Sequence, residues 1–325
     1  MDRESLLKRL KNFFALVLKS FRQFSKDGEA RFRLTVGMQV TAITCLTFIL
    51  VVTALYSILA FDLLFFQSQG YPGAQEFTAI FYDFMTATLL EYFLYIGLSL
   101  IFVFLVGIYI GDLLLRPFRL IGDYCESFVN GKHTSYDPDF FSDLNLLARF
   151  SEYFFNAMEN SFKQKQLPQL EVPLKYSRIH QPVFEKGFFL QFFLLILMIS
   201  LSTGVLLIAM AVGVYEGVID LAQNVIPSTN EVKYFLSAQS TIWETSLYVF
   251  MTIHFCAYLL LSLYLYSCVS APAFGLFATM RAFLRGSYSN RVHLIGYYYI
   301  RPQCRLFNKY LDFMERELTR NDSSS

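Results

Sequence analysis

Residues 187–215 read GFFLQFFLLILMISLSTGVLLIAMAVGVY, a run without one acidic, basic or histidine side chain. A helix rises 1.5 Å per residue and the hydrocarbon core of a bilayer is about 30 Å thick, so roughly 20 apolar residues cross it. Residues 34–61 and 92–111 are equally free of such side chains, and 245–273 carry only His254. One run of this kind fits a buried helix of a soluble protein, but four do not. The sequence therefore predicts an all-α membrane protein with four transmembrane helices. The first run is no cleavable signal peptide, being too long and starting past residue 30.

The rest of the composition agrees. Of 325 residues, 55% are hydrophobic and only 16% charged, against about 25% charged in soluble proteins. The net charge of +1 gives nucleic acid no global attraction. Its distribution is more informative. Residues 62–91 hold Asp62, Glu76, Asp83 and Glu91 without a Lys or Arg, and 216–244 hold only Lys233. The N-terminal, middle and C-terminal segments are rich in both. Positive residues stay on the cytoplasmic side, so both termini are expected there, with two outside loops of about 30 residues. Phe77, Phe81, Tyr82 and Phe84 suggest that the first loop lies against the membrane. None of the five cysteines falls in an outside loop or has metal-ligand spacing, so neither a disulfide nor a metal is expected.

The order of span, outside loop, span and cytoplasmic segment occurs twice. Pro117 and Pro272 lie at the ends of the second and fourth spans, and Gly131 and Gly286 follow each by fourteen residues. Further on come Phe155-Asn156 and Phe307-Asn308. The step between copies is 155 at the proline and glycine and 152 at Phe-Asn. Each cytoplasmic segment reads as two short helices around an irregular connector. Ile300, Cys304, Phe307, Leu311 and Met314 form a seam with steps of four and three. One such pair cannot bury its seam alone and must meet another.

These residues resemble the HAMP signalling module of bacterial receptors and histidine kinases. Its pattern is a span ending in proline, a helix, a glycine-led connector and a second helix with Phe-Asn-x-Met. The first copy has Pro117, Gly131 and Phe155-Asn156-Ala157-Met158; the second has Pro272, Gly286, Val292 and Phe307-Asn308. The family places an acidic Asp-Glu pair at the start of the second helix, where this chain reads Tyr298-Tyr299-Ile300-Arg301. The resemblance implies a parallel four-helix bundle that switches by a small helix shift. With two copies in one orientation, the chain is expected to be an internal pseudo-dimer; the alternative is a homodimer.

The expected domains are a basic amphipathic helix over 1–33, a transmembrane hairpin over 34–116 and a HAMP-like pair over 117–165. An extended linker over 166–186, a second hairpin over 187–271, a second HAMP-like pair over 272–318 and a disordered tail over 319–325 complete the chain. Leu6, Leu10, Phe13 and Phe14 interleave with Lys8 and Lys11, a pattern that lies on anionic lipid. Gly107 with Gly111, and Ser200 with Gly204, are small-residue pairs that let helices approach closely. His254 is the intramembrane polar residue, expected to be neutral and hydrogen-bonded to a neighbouring helix. No phosphate loop, nucleophile elbow or zinc signature occurs, so no catalytic or cofactor residue is assigned. The expected function is non-enzymatic signal transduction or scaffolding in a bacterial inner membrane, through a cytoplasmic protein partner. The alternative is an accessory subunit of a transport, motor or secretion complex.

Overall fold

The computed structural model describes residues 27–132, 136–137, 144–164, 168, 171–227 and 229–322. Among them the secondary structure is helical throughout. Helix α1 is Gly28–Ser68, α2 Ala74–Val129, α3 Asn145–Gln164, α4 the single turn Leu174–Ser177, α5 Lys186–Val225, α6 Asn230–Leu284 and α7 Arg301–Asp322. A 3-10 turn, Tyr298–Ile300, leads into α7. Four of these, α1, α2, α5 and α6, are long and apolar enough to cross a membrane.

Those four extend well beyond the charge-free runs. The expected 30-residue loops shrink, because helix continues through the polar residues on both sides: α1 ends at Ser68 and α2 begins at Ala74, α5 ends at Val225 and α6 begins at Asn230. Phe77 and Phe81, expected on the membrane, are instead core residues. Nor do Pro117 and Pro272 end helices: both lie inside α2 and α6. Each proline removes one backbone donor, yet the helix carries on for another turn or more to its apolar seam. The linker is broken by α4, and α7 runs past residue 318 to Asp322. The amphipathic pattern up to residue 26 lies outside the described residues, as do the tail from 323 and Asp143; residues 28–33 already belong to α1.

The described chain divides into two units. One comprises residues up to Val36, Ile108–Phe192 and Leu263 onward; the other is Gly37–Gly107 with Phe193–Ser262. Each long helix contributes residues to both.

In the second unit, the inward face of α1 carries Val51, Leu55, Leu59 and Phe66 at helical spacing. These meet Phe77 and Phe81 of α2, Ala211, Val218 and Ala222 of α5, and Val232 and Trp243 of α6. Phe66 and Phe77 cross edge to face with centroids 5.6 Å apart, and Phe65 stacks on Phe235 at 4.0 Å. Large apolar side chains face away from this core: Leu94, Leu98, Ile101, Phe102 and Leu105 on α2 are all exposed. In water such a row would be costly, whereas acyl chains solvate it.

Candidate functional site

The first unit is built from the ends of the long helices together with α3, α4 and α7. Helices α2 and α6 stop in the same way. Gly131 has φ +76° and Gly286 φ +94°. The Gly131 amide donates to Phe128 O and Lys132 to Ser127 O; Gly286 donates to Phe283 O and Ser287 to Ala282 O. This is a Schellman ending, which needs the left-handed conformation that glycine adopts without strain. All four bonds obey one step of 155, the step that also relates Pro117 to Pro272.

The buried faces that precede these glycines meet α3 and α7 crosswise. Phe150 of α3 lies against Phe277 of α6 at 4.6 Å, and Ser151 donates to the Met280 sulfur at 3.7 Å. On the other diagonal, Gln303 of α7 lies against Gly122 of α2, where a Cβ would sit 3.1 Å from Gln303 Cγ. Phe128 of α2 meets Tyr310 of α7 at 5.2 Å. The two later helices meet directly, Phe154 with Phe307 at 6.0 Å and Phe155 with Tyr310 at 5.6 Å. Tyr310 is fully buried and its hydroxyl has no partner among the described residues; burial pushes the phenol well above its ordinary range.

The burial pattern corrects the register read from the sequence. Buried residues of α3 are Leu147, Phe150, Ser151, Phe154, Ala157 and Met158; those of α7 include Ile300, Gln303, Cys304, Phe307, Tyr310 and Leu311. A step of 153 maps the first set onto the second. Phe154, not Phe155, therefore occupies the place of Phe307, and Phe155 occupies that of Asn308. Their contacts fit this assignment. Asn308 clamps the connector, accepting from the Val292 amide at 2.9 Å and donating to the Val292 carbonyl at 3.0 Å. Phe155 packs on Tyr136 of the other connector at 4.9 Å and on Tyr124 at 4.3 Å. Asn156 is exposed, while Met158 and Val292 are buried. The shared Phe-Asn letters concealed a one-residue slip; the 3.6-residue burial period was the signal that could have revealed it.

Polar contacts tie the connectors down. Arg291 pairs with Asp312 at 2.7 Å and with Glu315, and both partners lie on α7. Burial lowers the Arg291 pKa, but the two carboxylates raise it by more, so it ends above its ordinary value. Arg281 donates to the Tyr176 carbonyl at 3.1 Å and lies over the Phe277 ring, holding α4 against α6. The Tyr266 hydroxyl donates to Val183 O at 3.0 Å and accepts from the Glu185 amide at 2.6 Å. Glu185 in turn accepts from the Leu146 amide at 3.2 Å, in the first turn of α3, where the helix dipole favours a carboxylate. Burial raises the Glu185 carboxyl pKa, and the amide bonds partly oppose this.

The start of α1 packs on the turn that leads into α7. Phe32 stacks on Tyr299 at 4.2 Å, Arg31 lies over Tyr298 at 5.0 Å, and Gln303 donates to Glu29. Asp112 joins Arg33 at 3.0 Å to Arg119 at 2.6 Å. Tyr298 and Tyr299 thus make contacts with the beginning of the first long helix.

In the second unit, His254 is completely buried. The Thr47 hydroxyl donates to Ile43 O at 2.9 Å and lies 3.0 Å from His254 Nδ1. Nε2 lies 3.3 Å from the Thr203 hydroxyl and 3.3 Å from the Ser200 carbonyl. Next to it, Tyr258 donates to the Val40 carbonyl at 2.9 Å and accepts from Thr44 at 2.6 Å. The histidine is therefore a polar tie between α1, α5 and α6. Gly107 makes the predicted close approach: a Cβ there would sit 2.7 Å from Gly37 Cα. In the first unit, a Cβ on Gly111 would lie 2.9 Å from Arg33 Cα. The Ser200–Gly204 pair does not do this. A Cβ on Gly204 would meet only side chains, Met251 at 3.6 Å and Phe255 at 3.8 Å, because α6 presents a long methionine there rather than backbone. Compared with known proteins, the chain matches no family model, no curated protein and no solved structure.

Proposed function

We propose that the chain is a non-enzymatic signalling or scaffold protein of a bacterial cytoplasmic membrane, with two fused receptor-like halves. The first unit would be a HAMP-like bundle on the cytoplasmic side, with both termini there. One observation carries this reading: the crosswise pairing in which Phe150 meets Phe277 while Gln303 meets Gly122. Those two contacts interchange under steps of 153 and 155, as a pseudo-two-fold bundle of two receptor halves requires. The side assignment rests on the Lys and Arg bias of the segments.

Signal would enter through the spans. A small rotation or shift of α1 acts on Phe32 and Arg31, and through Tyr299 and Tyr298 on α7. The output is a change in the outer faces of α3 and α7, read by a docked protein. Spin labels on the exposed residues Asn156 and Arg316 test the coupling. Inserting one residue after Val40 turns the start of α1 by about 100° relative to the rest of the helix and should shift the label-to-label distance. Tyr299→Ala should abolish that shift. An unchanged distance in the parent sequence would remove the signalling reading.

A further inference from the structure

Residues 294–300 read LIGYYYI, without an acidic, basic or histidine side chain. They belong to the connector from α6 to α7 and its closing turn, outside every span. Ile295 is nevertheless 93% exposed, more than any other large apolar side chain among the described residues. A lone exposed isoleucine is ordinary on a soluble surface; the place of this one is not. The connector leaves α6 at Gly286 and climbs back along that helix. Leu294 comes to rest on Gly275, where a Cβ would sit 2.8 Å from Leu294 Cδ2. The Tyr299 hydroxyl then donates to the Cys268 carbonyl at 2.8 Å. Gly275 precedes Gly286 by eleven residues, about 16 Å of helix. From Thr245 to Met280 the only ionisable side chain on α6 apart from tyrosine and cysteine is His254, so Leu294 lies beside helix that is still apolar. On its other side the turn meets the start of α1, next to the charge-free run: Phe32 stacks on Tyr299 at 4.2 Å, and a Cβ on Gly28 would sit 2.6 Å from the Tyr298 carbonyl oxygen.

We infer that this turn is a membrane anchor. Ile295 enters the acyl chains of the leaflet next to the first unit, with Tyr297 and Tyr298 at headgroup level, and the partner is lipid of the bilayer that the chain itself crosses. Depth is the first reason: the turn is fastened to α6 at Gly275 and Cys268, the latter inside the predicted span. Chemistry is the second. Tyrosine collects where hydrocarbon meets water, because its ring is apolar and its hydroxyl polar. The exposed Arg31 lies over the Tyr298 ring at 5.0 Å, and arginine beside a membrane extends its charged end to lipid phosphate. A docked protein fits less well. It would need a contiguous apolar patch, whereas Ile295 has exposed Gly296 after it and only half-buried Leu294 and Tyr297 nearby. The anchor pins the start of α7 to the membrane surface. It requires that the chain spans a bilayer and holds whether or not the bundle signals.

Trp243 is the only tryptophan in the chain, and its emission in the parent protein serves as the background to subtract. A second tryptophan is added to the full chain, as Ile295→Trp or as Ser289→Trp, an exposed connector residue close to Gly286. Both positions are exposed, so neither variant disturbs the core. Each protein is placed in lipid nanodiscs, one chain per disc, made with ordinary or brominated phosphatidylcholine, and is then titrated with iodide in the water phase. The added emission of Ile295→Trp should fall by more than half with brominated lipid and change little with iodide. Ser289→Trp should behave in the reverse way; it carries the same indole, so the difference reports depth and not the attraction of indole to membranes. Emission at 295 that iodide quenches and bromine spares would place the turn in water. Shielding from both quenchers would place it against protein, and equal quenching by bromine at both positions would make the lipid contact non-specific. Each of these results overturns the inference.

Discussion

Gly107 and Gly204 look alike in sequence, each the small member of a spaced pair, and the structure separates them. A side chain at Gly107 would strike the backbone of Gly37, which cannot swing aside. Gly107→Val should therefore destabilise by about 1–3 kcal/mol, the usual range for overpacking. Gly204→Ala should change the thermal midpoint in detergent little. Tyr310 offers the opposite sign. Its buried hydroxyl is unpartnered among the described residues, and an unbonded buried hydroxyl costs about 1–3 kcal/mol. Tyr310→Phe should raise the unfolding midpoint, by about 1 kcal/mol of stability; a lower midpoint would mean that the hydroxyl has a partner. Single residues were only partly legible from the sequence. His254 announced itself because it interrupts an apolar run. Asp62 did not, because it ends one, and nothing local says that the helix continues far enough to bury it.

At the scale of elements, apolar length located the four long helices, since lipid offers no hydrogen bonds and a spanning backbone must satisfy its own. It could not locate their ends. Past the charge-free runs the helices are held by packing, through Phe77, Phe81 and Trp243 on the one side and Tyr124, Phe128 and Phe283 on the other. Hydropathy does not register that kind of support. The glycine endings were legible, because Gly131 and Gly286 each supply a positive φ that other residues adopt only at a cost. Gly131→Ala and Gly286→Ala should each lose about 1–2 kcal/mol, to similar extents because the two endings share one hydrogen-bond pattern. A clear inequality in their midpoints by calorimetry would count against that likeness. The register of α3 was missed although the apolar period of Leu147, Phe150, Phe154 and Met158 carried it, because two copies of Phe-Asn outweighed that period.

For the whole molecule, the proposal of two receptor-like halves in one chain makes a specific demand: the later helix of each half must pack against the other half, not against a second molecule. The contacts of Phe154, Phe155 and Phe307 meet that demand within one chain. The sequence left an internal pseudo-dimer and a homodimer both open, because a seam states that it needs cover without saying which chain supplies it. The most direct test is thiol crosslinking of Phe154→Cys with Phe307→Cys, in a background cleared of the five native cysteines, using a short thiol-to-thiol reagent in native membranes. The account predicts a crosslinked monomer of altered gel mobility at every protein concentration. Crosslinked dimers in place of that band, or no crosslink at all, would contradict it.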